Sequence, residues 1–378
     1  MATSDEVRSL PYNRDMSHLD ILIPFALPPA ELAADLLREV DAPALATLLS
    51  RSKSEPAANR HERFDDFARA LPHETWMVRR FGLLAQLERS GSPPVGAQLL
   101  RSTGAAGIAD IASTAVDSGF WFVIQPVYIH IARDHLVLTD PRQLMLTETE
   151  SRHLFEIAKP LFEESGRDLR FCNESTWLLR SDDWAELATS SPDAAGGHNI
   201  DIWMPRGPGE REWRKVQNEV QMHWFQQAFN DEREERGLKP VNSLWLWGGS
   251  NAAMPAGTSP YGAVFNLNGW MAAVAASSPR HLKANSVAEL AAAESGPALL
   301  ALDDLVGPAL SNDWAEWIAA FNRLEKDWFA PLHERLKSGK MDALTPILTN
   351  DSRLFRCTAS RSSLRKFWVK PNLASLST

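Results

Sequence analysis

Apolar residues at Trp213, Val216, Val220, Trp224 and Ala228 recur at spacings of three and four, which puts them on one face of a helix over 209–236. Gly237 supplies the stop and Pro240 confirms the break. A run of β-branched and aromatic residues over 241–247 then reads as a buried strand closed by a tight turn at Gly248 and Gly249, with Trp245 and Trp247 as core. The same reading places further strands over 18–27, 120–131, 135–138, 169–172, 176–179, 200–204, 299–302 and 343–349. Pro126 demotes part of the second of these to an edge or a bulge. Helical spacing covers 31–49 with a break at Pro43, 71–87, 147–164 and 314–337, the last with Trp317, Phe321, Leu324, Trp328 and Leu332 on one side. Thr147 with Glu150 makes a capping box for the third. Residues 263–276 predict a short strand followed by a helix, 50–63 and 190–197 read as loops by composition, and the C-terminal tail is expected to fray.

Strands alternate with helices at both ends, whereas 116–236 mixes antiparallel-looking strands with two helices. The expectation is an α/β protein with an inserted smaller α+β domain. A chain of 378 residues is long enough for two cores. No apolar run approaches the roughly 20 residues of a membrane helix, and the N-terminus lacks the basic-then-apolar layout of a secretion signal, so a cytoplasmic protein without membrane contact is expected. Cys172 and Cys357 lie far apart, match no metal-binding spacing and read as core. The net charge of −9 disfavours nucleic-acid binding. One stretch runs against it: Arg353, Arg356, Arg361, Arg365, Lys366 and Lys370 follow one another without an acidic residue, either as a solvated face or as an anion or partner site, for which Arg353 and Arg356 are the candidates. His198, after two glycines, is a weaker cleft candidate. His130 and His135 flank a strand connection with no ligand geometry, and the glycines at 248 and 249 match no phosphate-loop pattern.

The wording of the central run carries more than its periodicity. The segment N-D-E-R-x-x-R-G-x-x-P-V-N-S-L-W-L-W-G-G, over 230–249, resembles a block of the archaeal-type, bisphosphoglycerate-independent phosphoglycerate mutases, and resembles more closely the RpfE-type bacterial regulatory proteins. The resemblance extends along the chain through ILIPFALPP at 21–29, FCNESTWLLR at 171–180, the helix with Glu325, Asp327 and Pro331, and PILTNDSRLF at 346–355. It implies an alkaline-phosphatase-like sheet flanked by helices, built from 18–115 and 241–370, with a cap-like domain over 116–240.

The chemistry of that superfamily uses two divalent ions held by Asp and His, which activate a serine or threonine nucleophile. At the matching positions this chain has Phe25 for an Asp, Pro308 for a His beside a retained Asp304, Ser352 for a His beside a retained Asp351, and His73 near the nucleophile. Loss of an Asp and two His removes the charge that would bind the metals. The resemblance therefore implies a catalytically inactive protein with no metal and no cofactor, which acts by binding a protein partner or a small anionic metabolite. Asn230 and Arg233 match the family's pair near the domain junction and stand either for an inter-domain hydrogen bond or for an anion contact. Two alternatives remain: a metal-dependent mutase or phosphatase with a site rearranged around Asp304, Asp351 and His73, and a structural subunit of a larger assembly.

Overall fold

A computed structural model describes residues 17–53, 56, 60–105, 118–133, 135–292 and 296–377. The N-terminal stretch that bears on a secretion signal, part of the loop expected over 50–63 and the boundary expected near 115 lie outside the described residues. The strands are β1 (His18–Ile23), β2 (His61–Arg63), β3 (Phe120–Val127), β4 (Ile129–Ala132), β5 (His135–Leu138), β6 (Asp168–Asn173), β7 (Thr176–Arg180), β8 (Ser243–Asn251), β9 (Ala263–Phe265), β10 (His281–Leu282), β11 (Pro297–Ala301), β12 (Ala343–Thr349), β13 (Arg353–Arg356) and β14 (Ala359–Ser360).

The main sheet runs β10-β9-β11-β1-β12-β13-β2. Its strands from β10 to β12 are parallel, and β13, β14 and β2 add antiparallel pairs at one side. Strands β1 and β12 are central and buried on both faces, which accounts for their near-continuous apolar sequence. The smaller sheet, β6-β7-β3-β8, is antiparallel throughout. Its alternation splits the two cores: Phe122, Ile124, Leu244 and Leu246 pack with the helices Glu148–Glu164 and Glu210–Phe225, while Trp121, Val123, Trp245 and Trp247 join the core of the main sheet. The chain is thus α/β, a mostly parallel sheet flanked by helices with a smaller α+β layer packed on it.

Several expectations are corrected. The strand after Pro240 does not end in a glycine turn. It continues to Asn251 and pairs with β3, so the smaller sheet takes a strand from beyond the boundary expected at 240. Gly248 and Gly249 together face one residue, Phe122, in a β-bulge, with Gly248 at φ 71. The long helix breaks after Phe225, which is left exposed, and resumes as Phe229–Glu235; Trp224, on the buried face of the first part, gives its indole N–H to the Leu154 carbonyl at 3.2 Å. The helix expected over 71–87 divides into Pro72–Arg80 and Leu84–Ser90. Residues 190–197 contain the short helix Pro192–Ala195, capped by the Ser191 hydroxyl at 3.2 Å from the Ala194 N–H, and the strand expected over 200–204 is a single 3₁₀ turn capped by Asn199. The C-terminal tail does not fray: Leu376 is fully buried.

Other expectations agree with the structure. Thr147 and Glu150 form the capping box, both cysteines are free and buried, and Pro126 sits past Ile124, the last residue of β3 paired with β7, so its missing N–H costs that pair nothing. The helical stretch from Trp314 to Ser338 carries a π turn at Glu325–Phe329. It aims the Glu325 carboxylate at the Ala44 and Leu45 N–H groups, at 2.7 and 3.1 Å, which caps the helix Pro43–Ser50 from another part of the chain.

Candidate functional site

Open parallel sheets bind ligands outside the carboxyl ends of their strands, and a cleft with mixed polar and apolar walls lies there. It has a volume of about 340 Å³ and is walled by Phe25 and Leu27 after β1, Asn350 and Asp351 after β12, Asp66–Ala68, the 193–198 segment, Trp203 and Trp314. Phe25 lies in the left-handed region at φ 58, a strained conformation for a bulky side chain. Its carbonyl accepts the Trp317 indole N–H at 2.8 Å, and the Leu27 N–H bonds the Thr349 carbonyl at 3.0 Å, which ties the loop across to β12. The Phe25 ring stands 6.1 Å from that of His73, and His73 in turn lies 6.3 Å from Trp270.

A buried polar cluster underlies the cleft. The helix Pro72–Arg80 opens with Pro72 at its first turn, and the Glu74 carboxylate accepts the Leu71 N–H at 2.7 Å and the Ser191 hydroxyl at 2.8 Å. His73 and Glu74 are 2% and 1% exposed. One donor atom each from His73, Glu74 and Asp193 lie within 4.8 Å of one another, the only such group of three among the described residues. Asp193 is not free, however. Arg142 grips both its oxygens, at 2.7 and 3.1 Å, and also pairs with Asp140 at 2.9 Å.

Burial disfavours charge in this cluster. It pushes Glu74 up to about 8, with the Asp193 charge adding to the rise, and it holds His73 down to about 4. Asp193 stays below the usual carboxylate range because the Arg142 charge and hydrogen bonds outweigh the burial that would raise it. At neutral pH the cluster is therefore a protonated Glu74 and a neutral His73 beside an ionised Asp193–Arg142 pair. The His73 Nδ1 atom is buried without a hydrogen-bond partner. A divalent ion here would have to displace the Glu74 proton and share Asp193 with a guanidinium, so the cluster fits a proton better than a metal.

Of the residues singled out from the sequence, the cleft brings together Phe25, Asp351 and His198, whose ring stacks on Trp203 at 5.1 Å. His73 lies behind it. Asp304 is exposed past the end of β11, Pro308 is inside the short helix Val306–Leu310, and Ser352 bonds Asp351 at 3.1 Å; none of the three lines the cleft. Asn230 and Arg233 serve the framework. Asn230 exchanges two hydrogen bonds with the Val241 backbone, at 2.8 and 3.0 Å. Arg233, fully buried, pairs with Glu150 at 2.9 Å and donates to the Lys239 and Leu144 carbonyls. Arg353 is buried and donates to the Pro28 carbonyl at 2.8 Å, whereas Arg356 is exposed. Sequence reasoning missed Glu74, Asp193, Arg142 and Trp203. Leu71-Pro72 followed by Glu74, and Ser191-Pro192 followed by Asp193, both carry helix-start chemistry that could have located two of them.

No protein-family model matches the chain, and no curated protein matches it. Among solved structures, a cofactor-independent phosphoglycerate mutase from Thermoplasma acidophilum is similar at 12% identity and a TM-score of 0.42, over 96% of this chain and 94% of that one. A protein from Pyrococcus horikoshii is similar at 10% identity and a TM-score of 0.42, over 93% of this chain and 92% of that one.

Proposed function

We propose that this chain is a small-ligand binding protein on a phosphoglycerate-mutase-like scaffold that has given up two-metal catalysis. The observation that carries the reading is the occupancy of the strand ends. Phe25 stands after β1 where the resembled family has a metal-binding Asp, and its ring packs toward the buried His73 at the nucleophile position. Asp351 has Ser352 beside it, and Pro308 is locked in a helix. Two ions need several anionic or imidazole donors converging on them, and here Asp304 and Asp351 do not line a common cavity with His73.

The cleft keeps its own ligand chemistry. Asp66, Asp193 and Asp351 line it, Arg142 is spent on two aspartates, and Phe25, Phe67, Trp203 and Trp314 supply apolar walls. That lining suits a ligand with a cationic or hydrogen-bond-donating head and an aromatic or aliphatic body. A regulatory role through a protein partner follows from the sequence resemblance to RpfE-type proteins alone.

The experiment is a thermal-shift screen of amines, aromatic cations and phosphate esters, run beside a phosphoglycerate and phosphate-ester turnover assay with and without Mn²⁺. Stabilisation by cationic or aromatic ligands that is lost in Trp203→Ala, with no turnover, supports binding. Metal-dependent turnover sinks the reading.

A further inference from the structure

At the opposite end of the main sheet's strands three separate parts of the chain converge on a second hollow. Arg51 follows the helix Pro43–Ser50, His333 and Lys337 lie on the helix Ala330–Ser338, and Arg361, Leu364 and Arg365 come from the basic C-terminal segment. With Thr47 they enclose about 410 Å³, within the range of small-molecule sites. Because β14 pairs with the first residues of β12, this hollow sits at the start of that strand and the cleft at its end. Seven residues of strand separate them, on the order of 20 Å.

None of the lining residues is acidic. Arg51 is positioned by carbonyls, those of Val369 at 3.3 Å and Leu364 at 3.5 Å, which orient the guanidinium without neutralising it. Lys337 shares the exposed Glu334, at 3.3 Å, with His333. Among the described residues neither Arg361 nor Arg365 has a carboxylate partner. Four full cations against one carboxylate leave a surplus of three positive charges, in a protein whose net charge is −9. The local field is felt by His333: burial lowers its pKa first, and Lys337 and Arg51 lower it further against the opposing pull of Glu334. Arg361 and Arg365 also face a neighbouring hollow with the Ser360 and Ser362 hydroxyls, where Asp342 is the acidic limit of the patch. Like charges are costly to gather without a counter-charge.

We propose that this hollow is a binding site for a small anion bearing two phosphoryl groups, held by Arg51, Lys337, Arg361 and Arg365. Cations from three chain segments converge on one open hollow of this size, which fits a compact ligand, and the acidic remainder of the protein repels an extended polyanion. The site stands apart from the cleft and does not depend on the reading given for it.

Calorimetric titration with inorganic pyrophosphate, with orthophosphate and sulfate as comparators, tests the proposal. Pyrophosphate should bind more tightly than either, and its affinity should fall with rising salt. The double variant R361A/R365A, at two exposed positions, should weaken binding at least tenfold without lowering the ligand-free Tm, since it relieves like-charge repulsion. Glu334→Gln, which removes the one offsetting carboxylate, should tighten it severalfold. Absence of binding at millimolar pyrophosphate, or binding indifferent to all three substitutions, overturns the proposal. So does tighter binding of a single-stranded oligonucleotide than of pyrophosphate.

Discussion

The buried pair His73 and Glu74 predicts a pH dependence of stability with a distinctive shape. Glu74 is raised from 4.5 to about 8, so the native state holds a proton that the unfolded state has lost between those values. The stabilising contribution of its protonated form is complete below 4.5 and is lost as pH rises through 8. At about 1.4 kcal/mol per pH unit the whole effect is about 5 kcal/mol. His73, lowered from 6.5 to about 4, acts in the other sense: its contribution is complete above 6.5 and is lost as pH falls through 4, an effect of about 3 kcal/mol. Between 4.5 and 6.5 the two slopes cancel, and above 6.5 only the Glu74 loss remains. Glu74→Gln keeps an acceptor for the Leu71 N–H and the Ser191 hydroxyl and cannot ionise. Relative to the parent it should gain about 3 kcal/mol between pH 6 and 8, read from urea unfolding midpoints in the presence of a chelator. His73→Asn should uncover the falling slope below 6.5. Parallel curves for the parent and Glu74→Gln from pH 6 to 8 would refute the reasoning, because Glu74 would then be ionised in the native state.

Arg233→Ala should cost about 3 kcal/mol, at the low end for breaking a buried ion pair, because Arg236 still reaches Glu150 at 2.5 Å; the urea midpoint measures it, and a cost near zero would mean that the buried guanidinium is not structural. Gly248→Ala combines a left-handed backbone, worth about 1–2 kcal/mol, with a methyl placed 2.7 Å from the Val95 Cγ2 atom. The double variant V95A/G248A should recover the steric part alone, and additive losses in that double-mutant cycle would remove the overlap from the explanation.

The layers were legible in the sequence because apolar periodicity reports burial directly. The fully buried, mostly apolar β12 and the one-sided helix from Trp314 stand where their patterns put them. What failed was local: glycines at 248 and 249 read as a turn because composition does not distinguish a turn from a bulge inside a paired strand. The candidate site was half legible. Phe25 and Asp351 follow strand ends in the chain and meet in space for that reason. Glu74 and Asp193 come from distant segments joined through Ser191, and each carries ordinary helix-start chemistry, so no spacing announces their contact. The basic C-terminal run was visible as charge, but Arg51 and Lys337, which turn part of it into an enclosure, lie far away in sequence.

The most direct test of the central claim is the number of metal ions per chain, by elemental analysis, after loading with Mn²⁺ and Zn²⁺ and removing free ions. With Phe25 at the end of β1 and neither Asp304 nor a histidine beside Asp351 to complete a donor set, no paired ions are expected. About two ions per chain, the stoichiometry of a two-metal centre, would contradict the loss of that chemistry and make the strand-end cleft an active site.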